Sequence, residues 1–143
     1  MQVFESTTSE KILHKMKKGE WTDILNGLCD IRSDSIVLNY NYFKHLAKEE
    51  TYSYILIHIT NIIDRLLMTT NELIVHVNMK SLSLTEIDKH KMFIQQMSQI
   101  LQEKYPDKLS KCYIYNSPFI FSQIFNFVSM FVDKETLKKI EIV

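Results

Sequence analysis

Glycine, alanine, proline and cysteine are scarce in this chain, and two of these shortages close off whole classes of function. The two glycines, Gly19 and Gly27, stand apart. A G-x-G-x-x-G turn, a Walker A loop and a G-x-S-x-G elbow all need clustered glycine, so the chemistries built on them are excluded. The two cysteines, Cys29 and Cys112, give neither a metal spacing nor a disulfide framework, which fits a reducing compartment. The histidines, His14, His45, His58, His76 and His90, form no H-E-x-x-H and share no ligand spacing. Net charge is also lacking: 17 basic residues balance 17 acidic ones, so bulk attraction to nucleic acid is not expected. An anionic partner must be met by a local cluster. No stretch reaches the ~20 apolar residues that span a bilayer, and the first residues lack the apolar run of a signal peptide. The expectation is a soluble, cytoplasmic, single-domain protein that is not an enzyme.

What is present is an alternation of apolar patterns over 143 residues. Ser9 or Thr8 can cap a helix running to about Lys18, which Gly19 ends. Residues 21–28 predict a second short helix. SIVLNY, residues 35–40, is β-branched and reads as a strand. Residues 51–69 carry a helical stripe of Tyr54, Ile55, Ile59, Ile62, Ile63, Leu66 and Leu67. ELIVHVNM, residues 72–79, has the near-continuous apolar character of a strand buried in a parallel sheet. Thr85, with Asp88 three residues on, predicts a cap for a helix reaching about Lys104. Residues 112–115 predict a strand, 118–132 a helix and 140–143 a last strand. Strands separated by helix-length spacers mean βαβ units and a mainly parallel sheet. His76, inside an apolar strand, reads as a hydrogen-bonded core or pocket histidine, and Cys112 as a buried structural thiol.

The helix at 118–132 has two readings. Phe119, Ile120, Phe121, Ile124, Phe125, Phe127, Val128, Met130, Phe131 and Val132 cover most of its circumference. Such a helix must be buried on nearly all sides or meet lipid. One reading is a core helix between sheet and partner subunit. The other is a lid, with one face over an apolar cavity and outward aromatics at a membrane surface.

The order of features in residues 105–143 bears on this choice through a resemblance. Tyr105-Pro106-Asp107, a short strand, Asn116-Ser117-Pro118, the apolar segment and then Lys139-Ile140 follow one another. This order resembles the lipid-binding half of the CRAL-TRIO, or Sec14-like, family. More weakly, VHVNMKSLSL (residues 75–84) resembles the family's central strand and following turn, with Asn78 and Ser81 where Asp and Gly are usual. The resemblance implies a single α/β CRAL-TRIO domain with a mainly parallel sheet. It also implies a hydrophobic lipid pocket closed by a gating helix. The division expected is a short N-terminal helical segment at residues 1–32 and the lipid-binding domain at 33–143. Phe119, Phe121, Ile124, Phe125 and Val128 are then gating-helix and pocket residues.

Family members that hold phosphatidylinositol use an acid in the Tyr-Pro turn and a threonine and lysine before the last strand. The resemblance carries those roles to Asp107, Thr136 and Lys139, with Asp one methylene shorter than the usual Glu. It implies binding and transfer of one phosphoinositide, phosphatidylinositol or a phosphorylated form. No cofactor other than the bound phospholipid is implied, nor any metal or nucleic acid. The partners implied are that lipid and, transiently, a membrane surface. The family's flanking segments are reduced here, so an exposed apolar face and a homodimer are expected. The alternatives are a protein-interaction module without transfer, or a carrier of an isoprenoid- or retinoid-like ligand.

Overall fold

The computed structural model describes residues 4, 7–117, 121–130 and 132–143. Helix α1 spans Ser9–Lys17, and Thr8 caps it by accepting the Lys11 amide at 3.3 Å. Gly19 stops it at φ +70, a conformation that costs glycine little. Helix α2 spans Trp21–Leu28. The chain then enters strand β1, Cys29–Arg32, turns at Ser33 and returns antiparallel as β2, Ser35–Asn39. Asn39 closes the strand and caps helix α3, Tyr40–Leu46, through the Asn41 amide at 3.1 Å.

Helix α4, Tyr52–Leu66, leads to β3, Leu73–Asn78. Helix α5, Leu84–Lys89, breaks at His90 into α6, Lys91–Lys104. Strand β4, Leu109–Tyr115, is followed by α7, Phe121–Val128, α8, Lys134–Leu137, and β5, Ile140–Ile142. The sheet order is β1-β2-β3-β4-β5, and every pairing except β1–β2 is parallel. The expected α/β fold with a mainly parallel sheet is therefore present.

Register divides the sheet into two faces. Ile36, Val75, Cys112 and Ile140 form one row, and Val37, His76, Tyr113 and Glu141 the next. Neighbouring rows point to opposite faces because side chains alternate along a strand. The first face, with Cys29, Ile36 and Leu73, packs under Ile55, Ile59, Ile62, Ile63 and Leu66 of α4 and Phe93 of α6. This face holds the main core. The second face, with Val37, His76 and Tyr113, is only half-buried and is the more open of the two.

Local details depart from expectation. Strand β1 lies in the stretch read as helical. A four-residue strand with two charged side chains has little pattern of its own, and β2 creates it by pairing. Helix α3, not read from the sequence, starts at the Asn39 cap and packs Tyr42, Phe43 and Leu46 on the core. The α5 cap is Ser83, whose hydroxyl accepts the Glu86 amide at 3.3 Å, in place of Thr85. The helix expected to run unbroken to Lys104 is interrupted at His90. Strand β4 starts three residues before Cys112 because Lys108 accepts the Leu73 amide at 2.7 Å and opens the ladder early.

Candidate functional site

The Tyr105-Pro106-Asp107 turn is anchored from beneath. Tyr105 is buried, and its hydroxyl donates to the Asp64 carboxylate at 2.5 Å. Lys104 adds a second bond to Asp64 at 3.3 Å. The Tyr105 hydrogen bond and then Lys104 hold the Asp64 carboxyl below the usual carboxylate range. Asp107 itself is exposed, with φ 59, a left-handed conformation that Asp tolerates better than most residues.

Thr136 and Lys139 sit at the entrance to β5. Asp133 caps α8 by accepting the Thr136 amide at 2.7 Å, which with the neighbouring Lys139 holds its carboxyl low. The Lys139 amide donates to the Thr136 carbonyl at 3.0 Å. The Lys139 carbonyl accepts the Cys112 amide at 2.9 Å. One turn thus ties Thr136 to Lys139 and both to β4. Asp107 stands two residues before β4, and Lys139 immediately before β5. Parallel pairing of these strands brings all three residues to the same end of the sheet. Among the described residues, no hydrogen bond or ion pair joins Asp107 to the other two.

Of the gating-helix residues, Phe119 lies outside the described residues. Phe121, Ile124, Phe125 and Val128 fall on α7 at i, i+3, i+4 and i+7, a single stripe. Phe125 and Val128 are half-buried, whereas Ser122, Asn126 and Ser129 are exposed. Met130, just beyond the end of α7, is 74% exposed. The cavity expected between residues 73–77, 112–115 and the helix from Phe119 lies partly outside the described residues.

A second cluster occupies the open sheet face. His76 Nδ1 lies 2.7 Å from the Tyr115 hydroxyl, and the His76 ring stacks on Tyr113 at 5.3 Å. Phe4 meets Tyr115 edge-on at 5.1 Å. Burial lowers the His76 pKa and raises that of Tyr115. Beside them, Asn78 accepts from the Lys80 amide at 3.1 Å and the Asn116 side chain at 3.0 Å. The hydrogen-bonded reading of His76 holds. Its partners were visible only as an H-x-N in one strand and a Y-x-Y-N in another, and register alone joins them. A cleft of about 390 Å³ opens towards β1 and β2, lined by Phe4, Lys15, Asp23, Asp30, Arg32 and Tyr42 among others.

Neither cysteine is poised as a nucleophile. Burial, reinforced by Asp30, pushes the Cys29 thiol up to about 12, and burial alone does the same for Cys112. A thiol so raised is not a ready thiolate. Among the described residues no His, Cys, Asp and Glu group could hold a metal.

Residues 33–143 match the family model of the CRAL/TRIO domain. The chain belongs to this family. It is 38% identical over 66 residues to Sec14 cytosolic factor of Schizosaccharomyces pombe, covering 46% of this chain and 23% of that protein. It is 33% identical over 66 residues to SEC14 cytosolic factor of Yarrowia lipolytica, covering 46% of this chain and 13% of that protein. The structure of Sfh5 superposes with a TM-score of 0.71 at 18% identity, over 85% of this chain and 48% of that one. These matches span less than half the length of each of those proteins. The CRAL/TRIO assignment supports the lipid-binding expectation. Among the described residues no helix is long and apolar enough to cross a membrane.

Proposed function

We propose that this CRAL/TRIO chain binds one phosphoinositide, phosphatidylinositol or a phosphorylated form, and transfers it between membranes. The family match over residues 33–143 carries the reading. The placement of Asp107, Thr136 and Lys139 at one end of two adjacent parallel strands supports the headgroup assignment. Lys139 is the phosphate partner, through a charged hydrogen bond worth roughly 1.5–3 kcal/mol. Thr136 and Asp107 meet inositol hydroxyls. The acyl chains lie between strands β3 and β4 and the α7 stripe of Phe121, Ile124, Phe125 and Val128.

Magnitudes assign selectivity to these polar contacts. Burying roughly 30 methylenes at ~0.8 kcal/mol each contributes about 25 kcal/mol gross. A bilayer offers the same burial, so that contribution nearly cancels between membrane and protein. The difference between lipids then rests on the few headgroup bonds. The protein on this reading is cytoplasmic and meets membranes transiently. The expected homodimer has the exposed Ile142 and Val143 beside the β5 edge to draw on, and sedimentation tests it.

Lipid extraction from the purified chain followed by mass spectrometry tests the cargo. An inositol phospholipid is the expected result. Recovery of an isoprenoid or retinoid alone would overturn the headgroup assignment, and recovery of no lipid would favour a protein-interaction role.

A further inference from the structure

We propose that α1 and the start of α2 form a second membrane contact, a docking site for an anionic phospholipid surface that is separate from the cargo site. Residues 9–21 hold four lysines, Lys11, Lys15, Lys17 and Lys18, against Glu10 and Glu20, a net +2 in a chain whose total is zero. Ile12 is fully buried and fixes which way α1 faces. At 100° per residue the arc away from Ile12 carries Leu13, Lys17, Glu10, His14, Lys18 and Lys11, all of them exposed. Among the described residues, none of the four lysines forms an ion pair, whereas Lys44, Lys104, Lys111 and Lys138 each do.

Two apolar side chains stand among these charges. Leu13 is 45% exposed and Trp21 49% exposed, one on α1 and the other just past the Gly19 turn. Lysines that flank an exposed indole and an exposed leucine along the chain suit a bilayer interface. The apolar groups enter the headgroup boundary while the ammonium groups stay at the phosphates. Charge complementarity selects the lipid: a zwitterionic surface gives the lysines nothing, and an anionic one attracts each of them. A nucleic-acid strand would use the charge but leave Leu13 without a partner.

Each lysine near an anionic surface contributes about fivefold in affinity, so losing three should cost about a hundredfold. Trp21 is the single tryptophan, so its emission reports this site alone. With phosphatidylcholine vesicles containing phosphatidylserine, the emission of the intact chain should move to shorter wavelength and be quenched by brominated acyl chains. Pure phosphatidylcholine should do neither. Lys11→Gln, Lys17→Gln and Lys18→Gln together should weaken the response about a hundredfold. High salt should weaken it in the native chain, and that titration decides alone if the triple variant loses its circular dichroism. Co-flotation of the chain with unchanged Trp21 emission would overturn the proposal. So would an equal response to pure phosphatidylcholine, or an equal response to a single-stranded RNA oligonucleotide. A chain that docks through Trp21 yet transfers no lipid would overturn the transfer reading alone. One that transfers lipid with Trp21 silent would overturn this docking site alone.

Discussion

His76 on β3 and Tyr115 on β4 join across the sheet by a 2.7 Å bond between imidazole Nδ1 and phenol hydroxyl. The pair is two residues off direct register, since His76 lies opposite Tyr113 and stacks on it. A diagonal bond and a direct stack therefore lock the two central strands on their open face. Tyr115→Phe keeps the ring contacts and removes the bond. It should lower stability by about 1 kcal/mol, read from the urea midpoint. An unchanged midpoint would show that water replaces the phenol at no cost.

Acid should destabilise the fold, with His90 as one main cause. His90 is buried at the α5–α6 break, 2.6 Å from the Tyr52 hydroxyl and edge-on to Phe43 at 5.0 Å. Burial, then Lys89, lowers its pKa from the usual histidine value. The unfolded chain thus binds more protons than the folded one as pH falls through the ordinary histidine range. Stability is then fully present above that range and is lost below it. The thermal midpoint should fall between pH 7.5 and about pH 5, a span that brackets the ordinary histidine pKa. His90→Gln should flatten this slope without abolishing it, because His76 and His45 shift in the same direction. A midpoint that rises on acidification would contradict the assignment.

Gly27 is held by packing, not by its own backbone preference. A Cβ there would lie 2.4 Å from two ring atoms of buried Tyr42. Gly→Ala in a helix ordinarily stabilises by up to about 1 kcal/mol. Overpacking costs about 1–3 kcal/mol, so the clash should win. Gly27→Ala should destabilise, and Tyr42→Leu in the same chain should recover part of the loss. Denaturant curves of the two singles and the double decide it.

Tyr40 presents the opposite case. Its hydroxyl is buried with no hydrogen-bond partner among the described residues. Removing an unsatisfied buried group relieves its desolvation cost, so Tyr40→Phe should raise stability by about 1 kcal/mol. A loss measured by calorimetry would mean that the hydroxyl has a bound partner in solution.

Lys139 and Lys134 separate headgroup binding from general charge. Lys139 is half-buried and tied to β4 through its carbonyl, whereas Lys134 is exposed at the start of α8. Lys139→Ala should cut phosphoinositide transfer tenfold or more, since ~1.4 kcal/mol is tenfold. That defect should persist in high salt. Lys134→Ala should have a small effect that salt removes. Equal, salt-sensitive losses from both would place the headgroup elsewhere.

What the sequence determined by itself was local. The Thr8 cap and the Gly19 stop bound α1, and the bounds of α2 and α4 could be read to within about three residues, because helix caps and a 3.6-residue stripe involve near neighbours. Continuous apolar character identified β3, and strand–helix alternation announced a parallel sheet. The order of features from Tyr105 to Ile140 was enough to show the family resemblance. Tertiary structure decided what depends on partners far along the chain. Strand β1 exists because β2 pairs with it. The helix break at His90 is packed against Tyr52 and Phe43, 38 and 47 residues earlier. Thr136, Lys139 and Asp107 share one end of the sheet only because β4 and β5 run parallel and adjacent. Such pairings depend on how elements pack against one another, and a hydrophobic period carries only the sign of the face, not the identity of the neighbour.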